Sequence, residues 1–272
     1  MDGHAHIHPW MDRDRALDFA FANFLRCCRT AGLDPASPKV LALADPVDGK
    51  GLEVSEAGAA NSSSARSGWT LQGCEDGTGV RARRRGDGAT LFLVRGRQVR
   101  ATGGLEVLAL ATREEFRAGG GLAETVAEIQ QAVGFAVIPW GFGKWWGRRG
   151  RLVREILGVR AGEGVLVGDN AGRLARTPSS GIFRLARKLG IPILPGSDPL
   201  PLPGQERKLG SYGFTLFGGF DPLAPGTSLR EALTHLGRQP GTVGERDGLV
   251  PFLLSQGRMQ GRKLTRRLGG SP

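Results

Sequence analysis

Several common protein classes are excluded by what this chain lacks. No run of about 18 apolar residues occurs, so no helical membrane span is expected. Residues 1–15 carry histidines and charges rather than an apolar stretch, which argues against a secretory signal there. Cysteine is scarce and odd in number: Cys27, Cys28 and Cys74, two of them adjacent and none at metal-ligand spacing. That excludes a disulfide framework and points to a reducing, cytoplasmic setting. No Gly-X4-Gly-Lys-Ser/Thr pattern is present, so ATP chemistry has no phosphate loop to work with. A single Tyr and the absence of a repeated basic–aromatic pattern leave no platform for an extended single strand of nucleic acid. No internal repeat is visible.

Basic charge is plentiful by contrast. Thirty-seven Lys and Arg, 31 of them Arg, face 26 acidic residues and give a net charge of +11. Such a surface favours anionic partners: a phosphorylated small molecule, nucleic acid or anionic lipid. Compositional bias towards Arg, Gly and Ala is the competing account. An anionic small molecule is the expected partner; nucleic acid stays open without a motif to support it, and no membrane partner is expected.

At 272 residues the chain is long enough for one domain with a large core. Residues 13–33 read as a helix with Leu17, Phe21, Phe24, Leu25 and Cys28 on one face, ended by Gly32 and Pro35. Lys39 to Asp45 reads as a buried strand and residues 46–66 as a mobile loop. Residues 68–102 read as a meander of short strands, a small antiparallel insertion. Beyond residue 105 strands and helices alternate: strands at Leu105 to Ala111, Phe135 to Pro139, Gly164 to Gly168 and Ile191 to Leu194, with helices at Leu122 to Val133, Leu152 to Leu157 and Phe183 to Leu189. That alternation is the signature of parallel βαβ units. A last helix is expected over residues 227–237, and a loose basic tail from 256 to 272.

Three of the four histidines lie within the first eight residues, in Asp2-Gly3-His4-Ala5-His6-Ile7-His8. A strand turns alternate side chains to one face, so His4, His6 and His8 are expected to point the same way, and two imidazoles at that spacing can hold one ion from a single strand end. The alternative is a chance cluster, or histidines satisfied by hydrogen bonds. In barrels of parallel strands, working residues collect where strands end, and His4, His6, Asp45, Glu106, Asp169 and Asp198 all fall in or just after predicted strands. Imidazole with carboxylate suits a divalent zinc, manganese or iron ion, and an ion so held activates water. For each acidic residue a structural role such as a helix cap competes with this. The loop Pro139 to Gly150 gathers Trp140, Trp145 and Trp146 with Lys144 and Arg148 among glycines. It reads either as a cationic lid over the site or as aromatic packing. Arg173, just after Asp169-Asn170, is a further candidate anion contact.

The ordered set His4-Ala5-His6, Gly104-Leu105-Glu106, Gly168-Asp169-Asn170 and Leu189 to Asp198 (LGIPILPGSD) resembles the PHP superfamily (polymerase and histidinol phosphatase) over about residues 2–215. The resemblance implies a distorted (β/α)7 TIM-like barrel, here carrying the small antiparallel β insertion, and a cluster of two or three metals. It implies His4, His6, Glu106 and Asp198 as ligands, and a metal-dependent hydrolase acting on a phosphoester or other anionic small molecule. Lys144 and Arg173 would stabilise charge developing on the substrate, and Asp169 is the candidate acid. Two features depart from the family pattern. Pro199-Leu200 follows Asp198 where the family places a His, and Val137 to Trp140 lacks the family's middle His. One or two metals, or a degenerate site serving as a binding or regulatory module, fit those departures. The chain begins almost on the first motif, so the first strand is expected to lack its usual lead-in.

Overall fold

The structure is a computed structural model and describes residues 1–46, 68–175, 180–250, 252–255 and 257–259. The loop expected over residues 46–66 and the tail expected from 256 therefore fall outside the described residues, save for residue 46 and residues 257–259. Among the described residues no helix is long and apolar enough to cross a membrane.

Helix α1 (Arg13–Ala31) starts where the Asp12 carboxylate accepts from the Arg15 N–H at 2.9 Å, and stops at Gly32, which takes a left-handed φ of 65°. The face read from the sequence is the one that packs: Leu17, Phe24 and Cys28 are buried and Phe21 is partly so. It covers a sheet of five strands in the order β1 (Asp2–Ala5), β2 (Val40–Leu43), β6 (Thr90–Val94), β5 (Gly79–Arg84), β4 (Trp69–Gly73). Leu41, Leu43, Leu91 and Leu93 meet the helix there. Each large side chain so buried contributes about 2 kcal/mol.

A second sheet has the order β11 (Ile193–Gly196), β10 (Val165–Asn170), β9 (Ala136–Pro139), β8 (Glu106–Leu110), β7 (Gly96–Arg100), β3 (Asp45–Pro46). Helices α2 (Leu122–Val133), α3 (Gly147–Val159) and α4 (Gly181–Lys188) separate β8 to β11 in the chain and bury Val126, Ile129, Val153, Leu157 and Phe183 in its core. Strands β12 (Tyr212–Thr215) and β13 (Gly241–Gly244) form a separate antiparallel pair with α5 (Pro225–Thr234) between them.

This arrangement corrects the expected (β/α)7 barrel. Among the described residues the strands lie in separate sheets of five, six and two, and none closes on itself. A barrel of parallel strands needs a long crossover after each strand. Here β4 to β8 follow one another through short connections, and β4–β5, β5–β6 and β7–β8 are antiparallel; β8–β9 is antiparallel too, although α2 lies between them in the chain. Only β1–β2–β6, β9–β10–β11 and β3–β7 run parallel. Nor is the meander over residues 68–102 a small insertion. Strand β6 lies inside the first sheet, between β2 and β5, and β7 inside the second, between β3 and β8. That segment carries the chain from one sheet to the other.

One junction between the sheets positions everything that follows. Strand β1 is the edge of the first sheet and β11 the edge of the second, and their ends touch. The Asp198 N–H donates to the His4 carbonyl at 2.7 Å. A Cβ on Gly196 would lie 2.4 Å from the His4 nitrogen, so only glycine permits this approach.

Candidate metal centre

His4 ends up on β1 and His6 just beyond it, and both rings are buried. Their Nε2 atoms are 3.0 Å apart. Asp198 Oδ1 lies 3.7 Å from His4 Nε2 and 3.5 Å from His6 Nε2. Among the described residues, these three form a group whose ligand atoms all lie within 4.8 Å of one another. His4 Nε2 also meets Gln98 Oε1 at 3.0 Å.

The donor set fits a divalent ion. A neutral imidazole has one donor and one acceptor nitrogen, so two Nε2 atoms at this separation satisfy each other only if one of them is protonated. A cation between them accepts both lone pairs at once. Burial, the largest influence, pushes the His4 pKa below its ordinary value and so favours the neutral, ligating form; the carboxylate of Asp198 opposes this. Zinc, manganese and iron all accept two imidazoles and a carboxylate.

Asp198 is held tightly. Its φ of 41° is a left-handed conformation that few non-glycine residues adopt, and here it sits at the site itself. Asn170 Nδ2 donates to Asp198 Oδ2 at 2.7 Å and to the Trp140 carbonyl at 3.0 Å, leaving Oδ1 turned to the histidines. Burial alone would raise the Asp198 pKa. The neighbouring His4, His6 and Lys144, with the His6 hydrogen bond, overcome it and hold the carboxyl well below the usual carboxylate range.

Beneath the histidines lies a second carboxylate. Asp2 Oδ1 accepts from the N–H groups of Ser197 (2.8 Å) and His4 (3.1 Å), and Oδ2 accepts from the Ser197 hydroxyl (2.5 Å) and the Gly210 N–H (3.0 Å). Asp2 thus ties β1 to the turn that carries Asp198. The strand pattern placed it on the chain but gave no hint of this clamp.

The site opens into a pocket of about 710 Å³. Asp45, Glu106, Gln98, Arg100 and Lys144 line it, and Trp140 and Phe142 wall one side. His8 lies between His6 and Trp10: its ring stacks on Trp10 at 4.7 Å and on His6 at 5.5 Å, and its Nε2 meets the Pro199 carbonyl at 3.1 Å. Glu106, expected beside His4 and His6, reaches the pocket, but its carboxylate is ion-paired to the Lys144 ammonium. Lys144 therefore lines the pocket, paired with Glu106. Of the tryptophans in that loop, Trp140 lines the pocket, Trp145 packs on Phe183 with ring centroids 5.1 Å apart, and Trp146 is exposed.

Asp169 and Arg173 are brought together, but with each other. Arg173 Nε and Nη2 donate to the two Asp169 oxygens at 2.6 and 2.7 Å, and Tyr212 Oη donates to Oδ2 at 2.9 Å. The guanidinium lies over the Phe183 ring at 4.6 Å. Neither residue lines the pocket. The pleat of β10 explains this: Asn170 faces Asp198, so its neighbour Asp169 faces the other way. Gln98 and Arg100 were missed because they sit two apart on a polar-looking strand, and that alternation was their signal.

No family model matches the chain, and no curated protein matches it in sequence. A solved structure, that of PsfC from Pseudomonas syringae PB-5123, is similar over 90% of each chain at 14% identity and a TM-score of 0.48.

Proposed function

We propose that the protein is a metal-dependent hydrolase of a phosphoester or other anionic small molecule, with His4, His6 and Asp198 as ligands to a zinc, manganese or iron ion. The convergence of two buried imidazole nitrogens and one carboxylate oxygen carries this reading. A divalent ion bound there supplies Lewis acidity and lowers the pKa of a coordinated water.

The protein's own groups do the rest. Lys144 and Arg100 line the pocket and draw in and orient the anionic group. Asn170 keeps the Asp198 carboxylate aimed at the histidines. Trp140 and Phe142 limit water on one side. No general acid is assigned, since Asp169 is committed to Arg173 and Tyr212. The same chemistry is what the PHP resemblance implies. A cytoplasmic setting belongs to the proposal, because Cys27, Cys28 and Cys74 are free thiols that a reducing compartment preserves.

One observation favours a second reading, a binding module without turnover: Glu106 is taken up by Lys144. A panel of phosphomonoesters and phosphodiesters separates the two. The protein is loaded in turn with zinc, manganese or iron. A hydrolase turns over at least one substrate, and His6→Ala abolishes that turnover. A binding module takes up the ion and inorganic phosphate and turns over none.

A further inference from the structure

We propose that the Lys144 ammonium is a built-in second cation of this site, so that the pocket takes one divalent ion and not two. The inference rests on the metal-dependent reading above and deepens it.

Position is the first argument. Lys144 Nζ pairs with the Glu106 carboxylate, which the pocket would otherwise present to an ion beside His4 and Asp198. Glu106 lies outside the group of ligand atoms formed by His4, His6 and Asp198. The lysine is also set in place by its own loop. Its N–H donates to the Gly141 carbonyl at 3.0 Å, closing a turn that folds the stem back over Gly141. A Cβ on Gly141 would lie 2.6 Å from Lys144 Cδ, so the stem occupies the space that glycine leaves open.

Charge is the second argument. Glu106 and Asp198 face the pocket, and Lys144 already neutralises Glu106. One divalent ion at Asp198, with Arg100, then leaves the pocket positive for an anionic substrate. A second divalent ion beside Lys144 would add two more positive charges to a pocket that is already positive.

Removing the ammonium frees Glu106 as a ligand and leaves a partly buried carboxylate without its partner, which a second ion can then satisfy. The test is the number of ions bound per chain. It is read by equilibrium dialysis against manganese or zinc with elemental analysis, on the full chain, with circular dichroism to confirm the fold. The wild type is expected to bind one ion, Lys144→Arg one and Lys144→Met two. Two ions in the wild type overturn the proposal, as does one ion in a folded Lys144→Met. A wild type that binds no ion overturns the metal reading itself, a different result from either.

Discussion

The Asp198 N–H donates to the His4 carbonyl at 2.7 Å, so the carboxylate of the His4–His6–Asp198 cluster is tied through its backbone to the strand that carries His4. That bond joins the edges of two sheets and fixes Asp198 at a φ of 41°. Asparagine tolerates this conformation better than most residues. Asp198→Asn is therefore expected to unfold within about 1 kcal/mol of the wild type, while its affinity for zinc or manganese falls at least about tenfold, some 1.4 kcal/mol. Urea unfolding and metal titration measure the two separately. An unchanged metal affinity would remove Asp198 from the ligand set.

Gly141→Ala tests the loop. The added methyl must push the Lys144 stem aside, because it would lie 2.6 Å from Cδ, well inside van der Waals contact. Affinity for inorganic phosphate, followed by titration calorimetry on the metal-loaded protein, is expected to fall about tenfold. Lys144→Ala should give a loss of the same size. If Gly141→Ala binds phosphate as the wild type does, Lys144 takes no part in recognising the anion.

The Asp169–Arg173–Tyr212 network is expected to act on stability and not on the metal. Arg173→Ala strands a buried carboxylate and should cost about 3–5 kcal/mol. Tyr212→Phe removes one hydrogen bond and should cost about 1–2 kcal/mol. Metal content per folded chain should be unchanged in both. A Tyr212→Phe protein of full stability that loses its metal would return this network to the functional site.

Asp2 gives the fold a pH dependence. Burial, partly offset by the hydrogen bonds from Ser197, Gly210 and His4, raises its pKa from 3.8 to about 6. A carboxyl that titrates higher in the folded state favours folding when protonated. Its contribution is therefore complete below about pH 4 and is lost as pH rises through about 6. Stability of the metal-free protein is expected to fall by about 3 kcal/mol across that window from this group. Asp2→Asn should flatten that part of the curve, at a general cost, because an amide cannot accept all four hydrogen bonds. The same slope in Asp2→Asn would assign the titration elsewhere.

The sequence made parts of this legible and hid others for physical reasons. Helix α1 and strands β2, β8, β9 and β10 stand out because one face or a whole short run is apolar, and burial follows hydrophobic period directly. Helix α3 is longer than its apolar stretch, since it opens with the glycines and arginines of residues 147–151, which carry no periodic signal. Strands β12 and β13 are four residues each and rich in glycine, so neither announces itself. Strand direction was the larger miss: alternation of strand and helix suggests parallel pairing, but whether β8 pairs parallel or antiparallel with β9 is a long-range choice. At the site, His4 and His6 were legible from two-residue spacing and Asp198 from its place after a strand. Asp169 was chosen where Asn170 faces the site, a one-residue slip that reverses every side chain on a strand.

The most direct measurement is X-ray absorption at the metal edge of the zinc-loaded protein, which reads the ligand shell itself. Two imidazole nitrogens at about 2.0–2.1 Å, with oxygen making up the rest, is the result this account expects, and one imidazole fewer in His6→Ala. A shell of oxygen alone, or one that His6→Ala leaves unchanged, would contradict the assignment of His4, His6 and Asp198 as the metal centre.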